Sequence, residues 1–380
     1  MSRRRPSPLA SKPKVPSDPF VGIEAKTAAY PGAKSWSGGR FRIKGPEVFD
    51  AHAYHVMSRT CGGDIHFDDV EKEALRRLIW KMSEFLGIQV LTYCVMSNHF
   101  HILASVPRQA LWLERFEGPG GEEALLKHLA TFYSRLFMTQ LRNDLSEFRR
   151  LGMEDQAQAR LNAFKRRFCD LSIWCKEIKE RFGRWYNKRH TRKGTLWMDR
   201  FKSVLVEDGQ ALRTMAAYID LNPVRAKLVN DPKDYRWCGY AEALSGGRRA
   251  RRGLCRVLGV SGESWDQASP KQEQSGSAMY RRWLFHSGKE KTAVEDRQRV
   301  VRSGIRHEVV HRVVEEERGE LPAHTLLHQR VRHFTQGVVL GSRAWVEQVF
   351  ELNRQRFGPR RKSGARRLRG AELFVLRDLS

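Results

Sequence analysis

The side chains best suited to chemistry in this sequence are two histidines separated by a single residue. His99 and His101 lie inside an apolar run that includes Phe100 and Ile102. Side chains of a β-strand alternate between its two faces, so a strand here would place both imidazoles on one face and the apolar side chains on the other. Neutral imidazole is a common metal ligand. The pair therefore predicts half of a metal site.

A tyrosine and an asparagine far downstream would complete such a site. Tyr218 and Asn222 are four residues apart, so a helix would place them on one face, one turn from each other. Two imidazoles and an amide oxygen leave positions open on a divalent cation, which suits Mg²⁺ or Mn²⁺ holding a phosphate more than closed structural zinc. The Tyr218 phenol could then attack a phosphodiester polarised by the cation, forming a covalent phosphotyrosine that a second hydroxyl reverses. Taken singly, Tyr218 is better explained as a core tyrosine and Asn222 as a residue that ends a helix before Pro223, but their combination with the histidine pair favours the active-site interpretation.

The charge of the chain favours a nucleic-acid partner. There are 69 Lys and Arg against 43 Asp and Glu, which gives a net charge of +26 and a pI of about 10.2. Such a positive field favours polyanions. Arg200, Lys202 and Arg225 flank the candidate site residues in sequence and are candidates for gripping a DNA backbone, although solvated surface cations are an equally good interpretation of each.

Membrane and disulfide signals are missing from the sequence. No segment approaches the ~20 apolar residues of a transmembrane helix, so we expect no membrane partner. The six cysteines are scattered without CxxC spacing, which is typical of reduced thiols and predicts a cytoplasmic location.

Hydrophobic periodicity predicts the elements that would position these side chains. A strand begins near Ala51, and a helix follows Asp68, which forms a capping-box signal with Glu71. A second strand, the histidine strand, a long helical segment over 108–190, a further strand and a helix carrying Tyr218 come next. This order predicts an α+β fold, an antiparallel sheet with helices on one face.

The composition divides the chain into four parts. Residues 1–46 are basic and rich in Pro and Ser, which predicts a disordered leader. Residues 47–240 form the unit with the candidate site, and the looser Gly, Ser and Gln composition of 241–278 predicts a linker. Residues 279–380 read as a basic helical accessory region with a cationic tail, in which helices on either side of a turn at 337–341 would fit a helix-turn-helix.

The order and spacing of these residues resemble the HUH nucleases and, more narrowly, the REP-associated tyrosine transposases. The matching motifs are His99-Phe100-His101, Tyr218 with Asn222-Pro223-Val224-Arg225, and a Gly-x-Leu-Trp-x-x-Arg-Phe stretch at residues 194–201. The resemblance covers residues 48 to 240, and the long insert at 108–190 departs from the family pattern.

The resemblance implies a fold, an activity and a set of roles. It implies a ferredoxin-like sheet (the HUH fold) and a transposase that cleaves and rejoins single-stranded DNA beside a hairpin through a 5′-phosphotyrosine. By matched position, His99, His101 and Asn222 would bind a divalent metal and Tyr218 would be the nucleophile. The family also includes homodimers, so a homodimer is an arrangement to test.

Two alternatives stay open at this point. A replication-initiator-type nickase shares the histidine pair, although the sequence has no Walker-type phosphate-binding loop of the kind that accompanies helicase-bearing initiators. A non-catalytic binder of structured nucleic acid, derived from a transposase, would keep the fold and bind hairpins without cleaving them.

Overall fold

A computed structural model describes residues 45–46, 48–63, 66–268, 273–292, 300–302, 304–322, 325, 337–357, 359, 361–367 and 374–377 of the 380-residue chain. Nearly all of the expected leader and most of the expected helix before residue 337 lie outside these residues. None of the helices within the described ranges is long and apolar enough to cross a membrane.

The centre of the fold is a four-stranded antiparallel sheet with the strand order β2-β3-β1-β4. Its strands are β1 (Ala51–Arg59), β2 (Gln89–Val95), β3 (His99–Pro107) and β4 (Lys202–Val206). Helix α1 (Asp69–Leu86) joins β1 to β2 and begins with the predicted capping box, in which Asp68 and Glu71 each bond the other's backbone N–H. The α+β class and the ferredoxin-like strand order are thus as predicted.

The long insert between β3 and β4 is helical, as its periodicity predicted. It contains α2 (Gln109–Leu113), α3 (Gly121–Ala130), α4 (Arg135–Arg150), α5 (Glu154–Lys165) and α6 (Leu171–Arg189). Helix α6 packs on α1 and buries the aromatic stripe that includes Trp174 and Phe182. The stripe is therefore a packing face.

Helices also cover the opposite face of the sheet. The Thr92 hydroxyl of β2 bonds Asp220 at the end of the next helix, α7 (Gln210–Asp220), whereas the ring of the adjacent Tyr93 contacts Trp80 of α1. Neighbouring residues of a strand point to opposite faces, so α1 and α7 lie on opposite sides. The sequence predicts helices on one face of the sheet, and α1 and α6 lie on that face. Helix α7 covers the other face, so β2 and β3 are buried on both faces.

The structure corrects the predicted linker at 241–278. Its described residues form α9 (Gly239–Leu244), α10 (Arg248–Leu258) and the start of α11 (Gly276–Gly288), after the short α8 (Asn222–Arg225). Leu254 and Trp265 belong to the same hydrophobic core as the sheet. The linker prediction is wrong because a composition rich in Gly and Arg also suits a helix that buries one of its faces. Gly253 allows this close packing, since a Cβ at this position would lie 2.3 Å from the Leu91 carbonyl oxygen.

The last part of the chain is mixed, not purely helical. It contains β5 (Lys291–Thr292), β6 (Val300–Arg302), α12 (His307–His311), β7 (Gly337–Gly341), α13 (Arg343–Leu352), β8 (Arg366–Arg367) and β9 (Phe374–Arg377). The expected turn at 337–341 is strand β7, which pairs with β9. Its two central valines favour a strand because β-branched side chains suit a pleated surface. Val346, Phe350 and Leu376 form a small core of their own.

Candidate active site

The strand register gathers the candidate residues on the sheet face that α7 covers. Met57 pairs with His101 of β3 and with Lys202 of β4, and Arg59 pairs with His99. Directly opposed residues of neighbouring strands share a face. The two predicted histidines therefore lie on one face, with the cations Arg59 and Lys202 at its edge.

A third histidine, His55 of β1, joins this pair. Its Nε2 atom lies 2.9 Å from Nδ1 of His101, and the two rings stack with centroids 5.2 Å apart. The rings of His99 and His101 are perpendicular with centroids 5.1 Å apart. His99 donates from Nδ1 to the Asn98 Oδ1 atom at 2.7 Å, so Nε2 of His99 carries its free lone pair.

Burial keeps these imidazoles neutral. It lowers the pKa of His55 to about 4. The pKa of His101 falls to about 3, mainly through burial and further through the neighbouring His55 and His99. Burial and the charge of Arg59 also lower the pKa of His99. Neutral imidazole is the form that binds metal ions.

Helix α7 places Tyr218 beside the histidines. The Tyr218 ring lies 5.8 Å from that of His101 and 6.0 Å from that of His55, centroid to centroid, and 37% of the residue is exposed. The Arg225 guanidinium lies 4.8 Å from the centre of the same ring and donates to the Tyr218 carbonyl oxygen at 3.0 Å. The phenol is thus open to solvent, next to neutral imidazoles and under a fixed positive charge.

Asn222 lies where α7 gives way to α8. Its Nδ2 atom donates to the carbonyl oxygens of Tyr218 at 3.0 Å and Ile219 at 3.1 Å. These bonds satisfy carbonyls that the end of α7 leaves unpaired. They use the amide N–H groups of Asn222 and leave Oδ1 as its remaining polar atom. The hydrogen bonds of Asn222 are thus those of a residue that ends a helix. Its amide oxygen is the atom that could bind a cation.

A buried carboxylate anchors the end of α7. Asp220 accepts hydrogen bonds from the Thr92 hydroxyl at 2.9 Å, the Tyr280 hydroxyl at 2.7 Å and the Tyr240 backbone N–H at 3.1 Å. Burial raises the pKa of Asp220 to about 6, against the effect of these donors. Because Asp220 ties α7 to β2 and α11, it fixes the position of Tyr218 two residues earlier.

Sequence reasoning missed the roles of His55 and Asp220. The sequence gives no local signal for His55, because its place beside His101 follows only from the pairing of β1 with β3. Asp220 had a signal, since it is an acidic residue between the apolar Ile219 and Leu221. A carboxylate inside an apolar run predicts a buried, hydrogen-bonded acid.

The donor set suits a hard divalent cation that keeps oxygen ligands. Among the described residues, no group of three or more His, Cys, Asp and Glu side chains is placed to hold a metal. A cation on this face would therefore be held by His99 and His101, with oxygens from Asn222, a substrate phosphate or water. Mixed imidazole and oxygen ligation with open positions fits Mn²⁺ or Mg²⁺ bound to phosphate.

The three cations expected at the DNA differ in their positions. Arg225 contacts Tyr218 and Lys202 shares the histidine face, whereas Arg200 is exposed on the segment that leads into β4. That segment also contains the Gly-x-Leu-Trp stretch, and the Trp197 ring packs edge-on against Phe100 on the other side of β3. This part of the motif supports the histidine strand from behind.

Comparison with known proteins finds similarity among solved structures. No protein-family model and no curated protein matches the sequence. The chain is similar to a solved structure described as a REP-associated tyrosine transposase bound to a REP hairpin. The two share 16% identity with a TM-score of 0.33, and the alignment covers 56% of this chain and 87% of the other.

Proposed function

We propose that this chain is a divalent-metal-dependent transposase, a DNA strand transferase that cleaves and rejoins single-stranded, hairpin-bearing DNA. Tyr218 is its nucleophile and forms a 5′-phosphotyrosine. His99 and His101 bind the metal, with Asn222 as the third protein ligand. Arg225 and Lys202 contact the phosphate backbone.

One observation carries this proposal: the exposed Tyr218 phenol lies 5.8 Å, ring to ring, from the buried neutral imidazole of His101. A core tyrosine would be buried, but Tyr218 is the exposed side chain between the buried Ala217 and Ile219. Residues far apart in sequence thus meet on one face, in a chain of +26 net charge that favours a polyanionic substrate.

The reaction that this arrangement suits is a transesterification. The Tyr218 oxygen attacks the phosphorus of a phosphodiester and forms a new P–O bond, while its proton passes to solvent at this exposed position. The bond from phosphorus to the 3′ oxygen of the preceding nucleotide breaks, and that oxygen takes up a proton to become a free 3′ hydroxyl. One phosphoester replaces another, so attack by a second 3′ hydroxyl can reverse the step and rejoin DNA without an energy cofactor.

The residues around Tyr218 each have a part in this step. When bound, the cation polarises the phosphodiester and neutralises charge that develops on it. His55 accepts the Nδ1–H of His101. This bond selects the tautomer of His101 whose Nε2 lone pair can face a metal. Arg225 donates to the Tyr218 carbonyl oxygen and places its charge over the Tyr218 ring.

A covalent complex is the test of this function. The protein is incubated with end-labelled single-stranded DNA that folds into a hairpin with unpaired flanks, in Mn²⁺ or Mg²⁺, and run on a denaturing gel. We expect a labelled protein band with wild type, and no band with Tyr218→Phe or after chelation.

Tyr186→Phe is the control, since Tyr186 lies buried in α6, where its ring contacts His66 and Phe67. It should form the covalent band as wild type does. Hairpin binding without cleavage by wild type, unchanged in Tyr218→Phe and in chelator, would show instead a non-catalytic binder of structured nucleic acid.

A further inference from the structure

The exposed face of α10 consists of one residue type. Four positions of this helix are exposed, and all four are arginine: Arg248, Arg249, Arg252 and Arg256. The other positions are buried, among them Leu254 and Val257. We call these four residues the arginine ridge. Four guanidinium groups on one helix repel one another, so anionic partners would stabilise the ridge.

Carboxylates neutralise only half of the ridge. Arg249 pairs with Glu84 of α1 at 2.5 Å, and Arg256 pairs with Asp208 at 3.3 Å. Arg248 and Arg252 have no ion pair within the described part of the chain. They are one helical turn apart, about 6 Å along the axis, and both point into solvent from the same face.

The helix that carries the ridge is firmly held. Gly253 brings its backbone against the Val90 and Leu91 carbonyls of the edge strand β2. A fifth arginine, Arg251, is buried, where it donates to the Ala243 carbonyl oxygen at 2.8 Å and pairs with Asp266 at 2.5 Å. The helix backbone beneath the ridge is therefore fixed, with little backbone order left to gain on binding.

We propose that Arg248 and Arg252 of the arginine ridge bind the phosphodiester backbone of a base-paired stem. The inference rests on the proposed function, because it assigns the part of the protein that holds the hairpin of that substrate. Guanidinium groups bind phosphate oxygens in a bidentate manner. Single-stranded nucleic acid is typically held by aromatic side chains that stack on its bases, and the exposed positions of α10 offer none. A surface of arginines alone suits a duplex, whose bases are already stacked and whose phosphates face outward.

Salt-dependent binding to two DNA forms tests this assignment. The full chain is titrated in EDTA, where no cleavage occurs, against a labelled DNA hairpin and against unstructured oligothymidine of equal length, over a series of KCl concentrations. For the double variant R248Q/R252Q we expect hairpin binding to weaken about tenfold or more. The slope of log K against log salt should become shallower by about 1.8, or about 0.9 for each lost phosphate contact. Binding to oligothymidine should change less than about twofold.

R249Q/R256Q is the matched control, because it removes the same charge from the same helix at the two ion-paired arginines. It should change the hairpin slope by less than about half a unit, and R248K/R252K should restore most of the slope because lysine keeps the charge. Equal losses in the two glutamine variants would overturn the proposal in favour of a general positive field. No loss in R248Q/R252Q, or an equal loss on oligothymidine, would also overturn it. Because no chemistry is measured, these outcomes are independent of whether Tyr218 forms an adduct.

Discussion

At the scale of single residues, the site depends on which nitrogen of each imidazole is occupied. His99 bonds Asn98 through Nδ1, and His101 meets His55 through Nδ1. The types and spacing of His99 and His101 could be predicted from the sequence because strand alternation is local. The contact of His55 could not, because it depends on strand register, which joins residues distant in sequence.

Removing His55 should weaken metal binding through His101. For His55→Ala we expect the Mn²⁺ concentration at half-maximal cleavage to rise about 10- to 100-fold, as is usual when a metal ligand loses the side chain that orients it. At saturating Mn²⁺ most of the cleavage rate should return. Calorimetric titration of the protein with Mn²⁺ alone gives the same comparison without DNA.

His52→Ala serves as the control for His55→Ala. His52 lies on the same strand, three residues earlier, and so points to the other face of the sheet. Its removal should leave Mn²⁺ affinity unchanged. Equal effects of the two substitutions would mean that His55 has no specific part in metal binding.

At the scale of elements, α7 is the piece that must be placed accurately. Its N-cap is Gly209, and the preceding Asp208, a residue type that favours the N-cap, pairs with Arg256 instead. Local signals could predict α1, whose capping box is complete in the sequence. The docking of α7 could not be predicted, because Asp220 is held by partners from β2, α9 and α11 that adjoin it only in the folded chain.

Asp220→Asn should destabilise the fold. An asparagine would turn an NH₂ group toward groups that all donate, so that buried donors lose their acceptor. We expect the free energy of unfolding in urea to fall by about 3 kcal/mol. Asp234→Asn removes an exposed carboxylate paired with Lys233 and should cost less than about 1 kcal/mol. A loss at Asp220 as small as that at Asp234 would contradict the anchoring role.

Two helical glycines should respond in opposite directions to alanine. Gly253→Ala in α10 places a methyl group 2.3 Å from the Leu91 carbonyl oxygen, so we expect a loss of about 2 kcal/mol as the helix shifts outward. At Gly183 in α6 the nearest atom would be 3.7 Å away, on Trp197. Gly183→Ala should therefore stabilise the protein by about 0.5 kcal/mol. Thermal melts of the two variants make the comparison, and a gain at Gly253 would argue against close packing of α10 on β2.

At the scale of the whole molecule, one hydrophobic core runs from Ala53 of β1 to Val313. It includes residues on both sides of position 240, where the composition suggested that the domain ends. Composition misplaces this boundary because it averages the exposed and buried faces of α10. Val346, Phe350 and Leu376 lie farther along the chain and form a separate cluster.

Truncation should reveal where the core ends. A chain that stops at residue 240 lacks α10 and α11. It exposes the edge of β2 and removes Tyr280, whose hydroxyl donates to Asp220, so it should show no cooperative melting transition. A chain that stops at residue 322 keeps the whole of this core and should melt in a single transition. A cooperative, active fragment ending at 240 would restore the boundary expected from composition.

The central claim is that Tyr218 becomes covalently joined to DNA. The most direct measurement is mass spectrometry of the protein after reaction with a hairpin-bearing single strand and Mn²⁺, followed by nuclease trimming and peptide mapping. A nucleotide mass on the peptide that contains Tyr218, absent in Tyr218→Phe and in chelator, is the predicted result. An adduct on another residue, or one that forms equally in Tyr218→Phe, would contradict it.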